Sequence, residues 1–450
     1  MNWIVIAGAP ALAAAFPRSS ELKVATDPAP GVADLIVNGK ALTEPDPSWD
    51  DAWVLNRPAA VRLATDKQLR RKIWARSGLR TDPPKRALRY RAHVFDLEIL
   101  ALFYLGRSGR LRPPRRVAPS GSKRLQRVVE AAVRAVYALR LDFGIVDLAV
   151  TRNGETVAVT GLSLVPPTRG RLAKVYAAAI GRYWRRWQVS GEDFLLGADP
   201  EFVVCDRKRC SRFVIASRHL PRDGPIGLDN QRVRGTRSAR VIVEIRPRPA
   251  GEPHALLADI RRLLLRMPAP LRRRRLGWFA GSGPLAAFPT GGHVHFSGLP
   301  LTSALVRALD AYLALPLLLV EAPARARRRR RRYGYLGEVR RKDWGFEYRT
   351  LPSWLVAPGF ASAVLSLSKL IGRHWRRLQR DPFLDPEAIE AFYECRKEVL
   401  RPHFEGIWND LRLLPDYHRY AESLAALPSL VNSGLIWGED RDFRRSWGIR

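Results

Sequence analysis

The chain has 450 residues, 46% hydrophobic and 27% charged, a composition that excludes global disorder and fibrous repeats and supports sizeable cores. At about 150 residues per domain, the length predicts two to three domains. Charge is the outlier: 77 Lys and Arg against 43 Asp and Glu give a formal net charge of +34, a field that attracts nucleic acid, acidic membrane surfaces, nucleotides or acidic substrates. Of those 77 cations 66 are Arg, a bias that a GC-rich genome also produces, so charge alone selects no partner.

The N-terminal stretch Met1–Phe16 is apolar but lacks the positive start of a signal peptide, so Trp3–Ala7 reads as an opening buried strand and the chain as cytoplasmic. Ala33–Val37 is a second strand, ending in the turn Asn38-Gly39. Pro58–Arg76 has one continuous helical periodicity, with Pro at its start. Arg89–Phe103 is β-rich, Arg107–Gly121 reads as an exposed loop, and Leu125–Leu139 as an amphipathic helix. Strands Gly144–Thr151 and Thr156–Thr160 are joined by the hairpin signature Arg152-Asn153-Gly154, and a helix follows at Lys174–Trp187. The boundary falls near Ser190-Gly191, giving domains 1–190 and 191–450.

The second region alternates strands (Phe194–Asp206, Val241–Ile245, His293–Ser297, Gly345–Thr350) with helices (His254–Arg266, Leu301–Leu319, Ala361–Gln379), and its last part is helical. The longest apolar run, Ala311–Val320, is too short to span a bilayer. Cys205, Cys210 and Cys395 are too few for a disulfide framework and predict a reducing compartment; no second pair accompanies the first two, which argues against a zinc knuckle. The Arg-rich runs Arg272–Arg275 and Arg325–Arg332 read either as solvated loops or helix ends or as nucleic-acid patches.

Four segments concentrate acids, histidines and arginines: Asp199-Pro200-Glu201; Asp229-Asn230 leading to Glu244-Ile245-Arg246; His293-Val294-His295; and Glu347-Tyr348-Arg349. Residues i and i+2 of a strand share a face, so each strand segment presents paired polar groups while Ile245, Val294 and Tyr348 pack behind. Sharing one sheet, the segments would join carboxylates and imidazoles suited to Mg²⁺ or Mn²⁺ with arginines suited to phosphate or carboxylate oxygens. Singly, each segment has a plain structural explanation; together they point to a polar site.

These motifs (LLGADPEF, GLDN with VEIRPRP, GGHVHFSG and YGYLGEVRRKDWGFEYRTLPSWL) resemble the COOH–NH2 ligase type 2, or amidoligase, family of the glutamine-synthetase-like carboxylate–amine ligases. The resemblance implies an α+β fold with an antiparallel catalytic sheet, ATP and Mg²⁺ (or Mn²⁺) as cofactors, and amide formation through an acyl phosphate. It also implies roles by position: Glu201, Asp199, Glu244, His293 and Glu347 toward metal, Arg349, Glu244 and Asp229 in catalysis, and His295, Arg246, Arg340 and Arg341 toward the nucleotide. The expected partners are a small-molecule or peptide substrate with a carboxylate and an amine donor, and a second copy of the chain. In the first region, Arg62–Asp66, Gly78–Pro84, Arg89–Phe95 and Leu141–Asp147 resemble an α/β ATP-grasp domain. Between Pro84 and Arg89 there is no room for its Gly-rich phosphate loop, and Thr160-Gly161-Leu162 stands where its metal acids belong, so a degenerate, scaffold-like domain is expected. The competing function is a nucleic-acid-binding protein that uses the Arg runs on an inactive ligase fold.

Overall fold

The computed structural model describes residues 3–7, 10–16, 23–25, 35–44, 52–107, 115–119, 121–189, 191–207 and 212–449. Residues 108–114 and 120 of the expected Arg107–Gly121 loop, and Cys210, lie outside them. Contacts divide the chain into two units, Met1–Val189 with Phe383–Ile389, and Ser190–Pro382 with Glu390–Arg450.

The first unit holds two sheets. Strands β1 (Trp3–Ala7), β2 (Lys23–Ala25), β3 (Leu35–Asn38) and β4 (Trp53–Leu55) form a parallel sheet in the order β2-β1-β3-β4. The stretch Pro58–Arg76 differs from the single helix expected. It makes two helices, Pro58–Thr65 and Lys67–Arg76, because Asp66 leaves helical geometry and accepts hydrogen bonds from Gln68 N and Leu69 N. Strands β5 (Leu88–Phe95), β6 (Glu98–Gly106), β7 (Arg115–Arg116), β8 (Phe143–Val150) and β9 (Val157–Ser163) form an antiparallel sheet in the order β7-β6-β5-β8-β9. Its core is aromatic, with Phe95, Phe143, Tyr176 and Tyr183 packed together. Asn56 ties the two sheets, accepting from Asp142 N (2.7 Å) and Phe143 N (3.1 Å) and donating to Phe143 O (3.0 Å).

The second unit is built on an antiparallel sheet of β10 (Leu195–Asp206), β11 (Ile226–Leu228), β12 (Ile242–Ile245), β13 (Leu276–Phe279), β14 (Gly292–Ser297), β15 (Val339–Lys342) and β16 (Gly345–Tyr348). The order is β11-β12-β10-β14-β16-β15, with β13 also on β10. Both units together give the expected mixed class, an α/β piece followed by an antiparallel sheet with helices.

Behind the second sheet runs the segment Ser303–Val320, the one described helix long and apolar enough to cross a membrane, and all of it is buried in this unit. Pro316 supplies no N–H to the turn before it, and the chain widens into a π-helical turn at Asp310–Ala314. That turn directs Asp310 to accept hydrogen bonds from Tyr348 Oη (2.8 Å) and Gly337 N (3.0 Å), fixing β16 and the loop before β15 from behind. The cysteines depart from expectation: Cys205 is disulfide-bonded, while Cys395 is free and buried.

Candidate active site

Strand β10 carries Asp199 and Glu201 on one face. Asp199 pairs across to His293 on β14, and Glu201 to Glu244 on β12. One strand further, His295 stands opposite Glu347 on β16, and Glu347 opposite Arg340 on β15. The strand alternation read from sequence therefore becomes a row of polar side chains across five neighbouring strands.

At the centre of the row, ligand atoms of Asp199, His293 and Glu347 lie within 4.8 Å of one another, the one such group of metal-ligand types among the described residues. His293 Nδ1 is 2.8 Å from Asp199 Oδ1 and 3.3 Å from Glu347 Oε1. His295 Nε2 is 3.3 Å from the same Asp199 oxygen. Gly291 permits this crowding, since a Cβ there would sit 2.4 Å from His293 Nε2. Asp199 Oδ1, His293 Nδ1 and Glu347 Oε1 are all buried without a hydrogen bond of regular geometry. Two carboxylates and an imidazole left in that condition fit a hard divalent cation such as Mg²⁺ or Mn²⁺.

The family model of the phage phiEco32-like COOH.NH2 ligase type 2 matches residues 196–449. The chain belongs to that family of carboxylate–amine ligases. No curated protein matches it. Among solved structures it is similar to the macrocyclase MdnB from Microcystis aeruginosa MRC (12% identity over 41% of this chain and 98% of that one, TM-score 0.30). It is also similar to the D-alanine–D-alanine ligase from Bacillus anthracis complexed with ATP (11% identity, 41% and 97% covered, TM-score 0.32). A bifunctional glutathione synthetase from Pasteurella multocida gives 9% identity, 59% and 53% covered, and a TM-score of 0.34. Scores of that size assign nothing further to this chain.

The other residues singled out in the sequence fall into distinct places. Glu201 does not join the central group. Its carboxylate accepts from Gly291 N (2.7 Å), and burial, reinforced by Asp229, pushes its pKa well up. Burial and the charge of Asp199 likewise push Glu244 up to about 8, against the opposing effect of Arg246 at 2.5 Å. Asp199 goes the other way: burial disfavours its charge, but His293 and His295 outweigh that and hold it below the usual carboxylate range. Asp229 accepts from Gln231 N (2.7 Å) and, with Glu201, Gln231, Pro289, Arg332, Tyr333 and Arg349, lines a cavity of about 270 Å³.

The arginines separate by what they touch. Arg349 Nε lies 2.8 Å from Glu347 Oε1, and Arg340 NH1 3.3 Å from Glu347 Oε2. Lys342, which the sequence did not single out, occupies the same face at 3.8 Å from Glu347. Arg341 pairs with Phe346 and therefore projects to the opposite face, away from the carboxylates. Arg246 is committed to bracing: besides Glu244 it donates to the carbonyls of Arg222, Gly224 and Leu228.

The Arg325–Arg332 run ends a helix, Pro323–Arg330, and is only partly solvated: Arg327, Arg331 and Arg332 are exposed. Arg329 and Arg330 are buried. Arg329 donates to the carbonyls of Thr290 (3.0 Å), Thr350 (2.8 Å) and Leu351 (2.6 Å), which flank β14 and β16. Arg330 pairs with Glu321 at 2.5 Å and lies over the Phe392 ring. Two residues required by the nucleic-acid reading are thus clamps inside the ligase unit. Tyr333, directly after the run, hydrogen-bonds His293 Nε2, and the Arg329 and Arg349 guanidiniums lie 4.8 Å and 5.0 Å from its ring centre. Its place directly after the basic run and at the start of the long fourth motif was the sequence signal for it.

In the first unit, Arg91 holds Asp147 with two bonds of 2.7 Å and 3.0 Å. Gly161 sits opposite Asp147, and no second acid faces it across that pair.

Proposed function

We propose that this protein is an ATP- and Mg²⁺-dependent (or Mn²⁺-dependent) ligase that joins a carboxylate to an amine through an acyl phosphate. The observation that carries the reading is the convergence of Asp199, His293 and Glu347 from three adjacent strands, beside Arg349, Arg340 and Lys342. A carboxylate is a poor electrophile and resists approaching a polyphosphate anion. A divalent cation held by the three ligands would neutralise that charge as phosphate is transferred.

The chain's own residues supply the rest. Arg349, anchored between Glu347 and Glu338, faces the cavity and can meet the transferred phosphate or the acid substrate. Asp229 lines the same cavity with a carboxylate suited to hold an ammonium and take its proton as the amine attacks. The substrate class is a small molecule or peptide bearing these groups. Thermal stabilisation by ATP with and without Mg²⁺ tests the reading. Metal-dependent stabilisation that disappears in Glu347→Gln and Asp199→Asn supports it. Salt-sensitive DNA or RNA binding with no ATP effect would replace it.

A further inference from the structure

The tip of the β15–β16 hairpin carries an aromatic ring for which the ligation chemistry has no need. Trp344 is 45% exposed, whereas Trp278, Trp354, Trp375, Trp408, Trp437 and Trp447 of the same unit are all buried. It is not a loose surface residue. Part of its ring packs on His295, with centroids 5.3 Å apart and planes at 41°. His295 in turn reaches Asp199 at 3.3 Å. Lys342 pairs with Gly345, so Trp344 sits in a two-residue turn. Gly345 has a φ of 149°, and a Cβ on it would meet the Phe296 carbonyl at 2.0 Å, so this turn lies tight against β14.

The hairpin therefore presents three features in a row on the site face. An open indole stands at its tip, Lys342 and Arg340 follow on β15, and the metal-ligand group lies beside them. A flat ring, then cations, then a cation site is the complement of a nucleoside triphosphate: base, phosphates and metal. We propose that Trp344 is the stacking platform for the base of ATP, with the phosphates running along Lys342, Arg340 and Arg349. This rests on the nucleotide reading above and adds the residue that tells ATP from a bare polyphosphate.

The test compares binding of Mg·ATP with binding of Mg·tripolyphosphate, by calorimetry on the full-length protein. The wild type is expected to bind ATP more tightly. Base–aromatic stacking predicts that Trp344→Ala weakens ATP by roughly 5- to 100-fold while tripolyphosphate binding stays unchanged, which also shows that the variant is folded. Trp344→Phe should keep most of the ATP preference. An unchanged ATP preference in Trp344→Ala overturns the platform and leaves the nucleotide site standing. A wild type that binds neither ligand overturns the nucleotide reading itself, and the platform with it.

Discussion

Each unit of this chain contains an antiparallel sheet with charged residues at alternate positions, yet only one of them assembles a site. In the β5–β8 pair of the first unit, Asp147 is met by Arg91 with two hydrogen bonds, and His93 is enclosed by Phe103 and Tyr176. There Asp147 has a partner of opposite sign, and His93 is held neutral by burial. In the β10–β14–β16 row of the second unit, Asp199, His293 and Glu347 face one another, with buried oxygens and a ring nitrogen lacking regular hydrogen bonds. Alternating polar residues on a strand thus do not make a site by themselves. Convergent, incompletely satisfied ligand atoms do, because only they leave a cation something to bind.

The sharpest way to break this contrast is to remove one carboxylate from each sheet. Glu347→Gln should lower ATP turnover by at least about 100-fold, as expected when the charge that holds a catalytic metal is lost. Asp147→Asn should leave turnover within about twofold and cost about 1 kcal/mol of stability, since its ion pair with Arg91 is partly exposed. ADP release measured on both variants decides between them. Comparable losses would mean that the first sheet shares in catalysis.

Next in size is the clamp. Arg329→Met should destabilise the protein by about 3–5 kcal/mol in urea unfolding, because several strand-end carbonyls lose a buried donor at once. The exposed neighbour Arg331→Ala should change stability by no more than about 0.5 kcal/mol.

Arg329 and its neighbour Arg330 show where sequence reading stops. The i, i+2 spacing of Asp199 with Glu201, His293 with His295 and Glu347 with Arg349 was legible, because strand geometry converts spacing directly into facing. The antiparallel sheet was expected from the family resemblance alone, whereas most strands and helices were legible from their apolar periodicity. Arg329 and Arg330 were not, because a run of like charges looks solvated until the carbonyls and the Glu321 carboxylate that receive it are known. The choice of Lys342 over Arg341 depends on strand phase, which the RRK triplet leaves open. The break at Asp66 hides inside an unbroken helical period, because capping there competes with helix continuation. The bond at Cys205 is not legible either, because three sparse cysteines do not form a disulfide pattern.

A pH series sharpens the comparison from the side of the first unit. Burial, helped by Arg91, lowers the pKa of His93 from 6.5 to about 4. The unfolded chain therefore takes up a proton near pH 6.5 that the native state refuses. Stability is complete above pH 6.5 and falls as pH drops toward about 4, by up to about 3 kcal/mol from this group. His93→Phe should remove that component, and unfolding free energies between pH 7 and 4 measure it. Replacing Asp66 with Ala should cost about 1 kcal/mol in thermal unfolding, the usual value of a lost N-cap.

The central claim is that Asp199, His293 and Glu347 form one cation site. Mn²⁺ titration followed by electron paramagnetic resonance, on the wild type and on Asp199→Asn, His293→Ala and Glu347→Gln, tests it most directly. Saturable Mn²⁺ binding in the wild type, displaced by Mg²⁺ and weakened at least about tenfold in each of the three variants, is the predicted result. Mn²⁺ binding that survives all three substitutions, or a wild type that binds none, would contradict it.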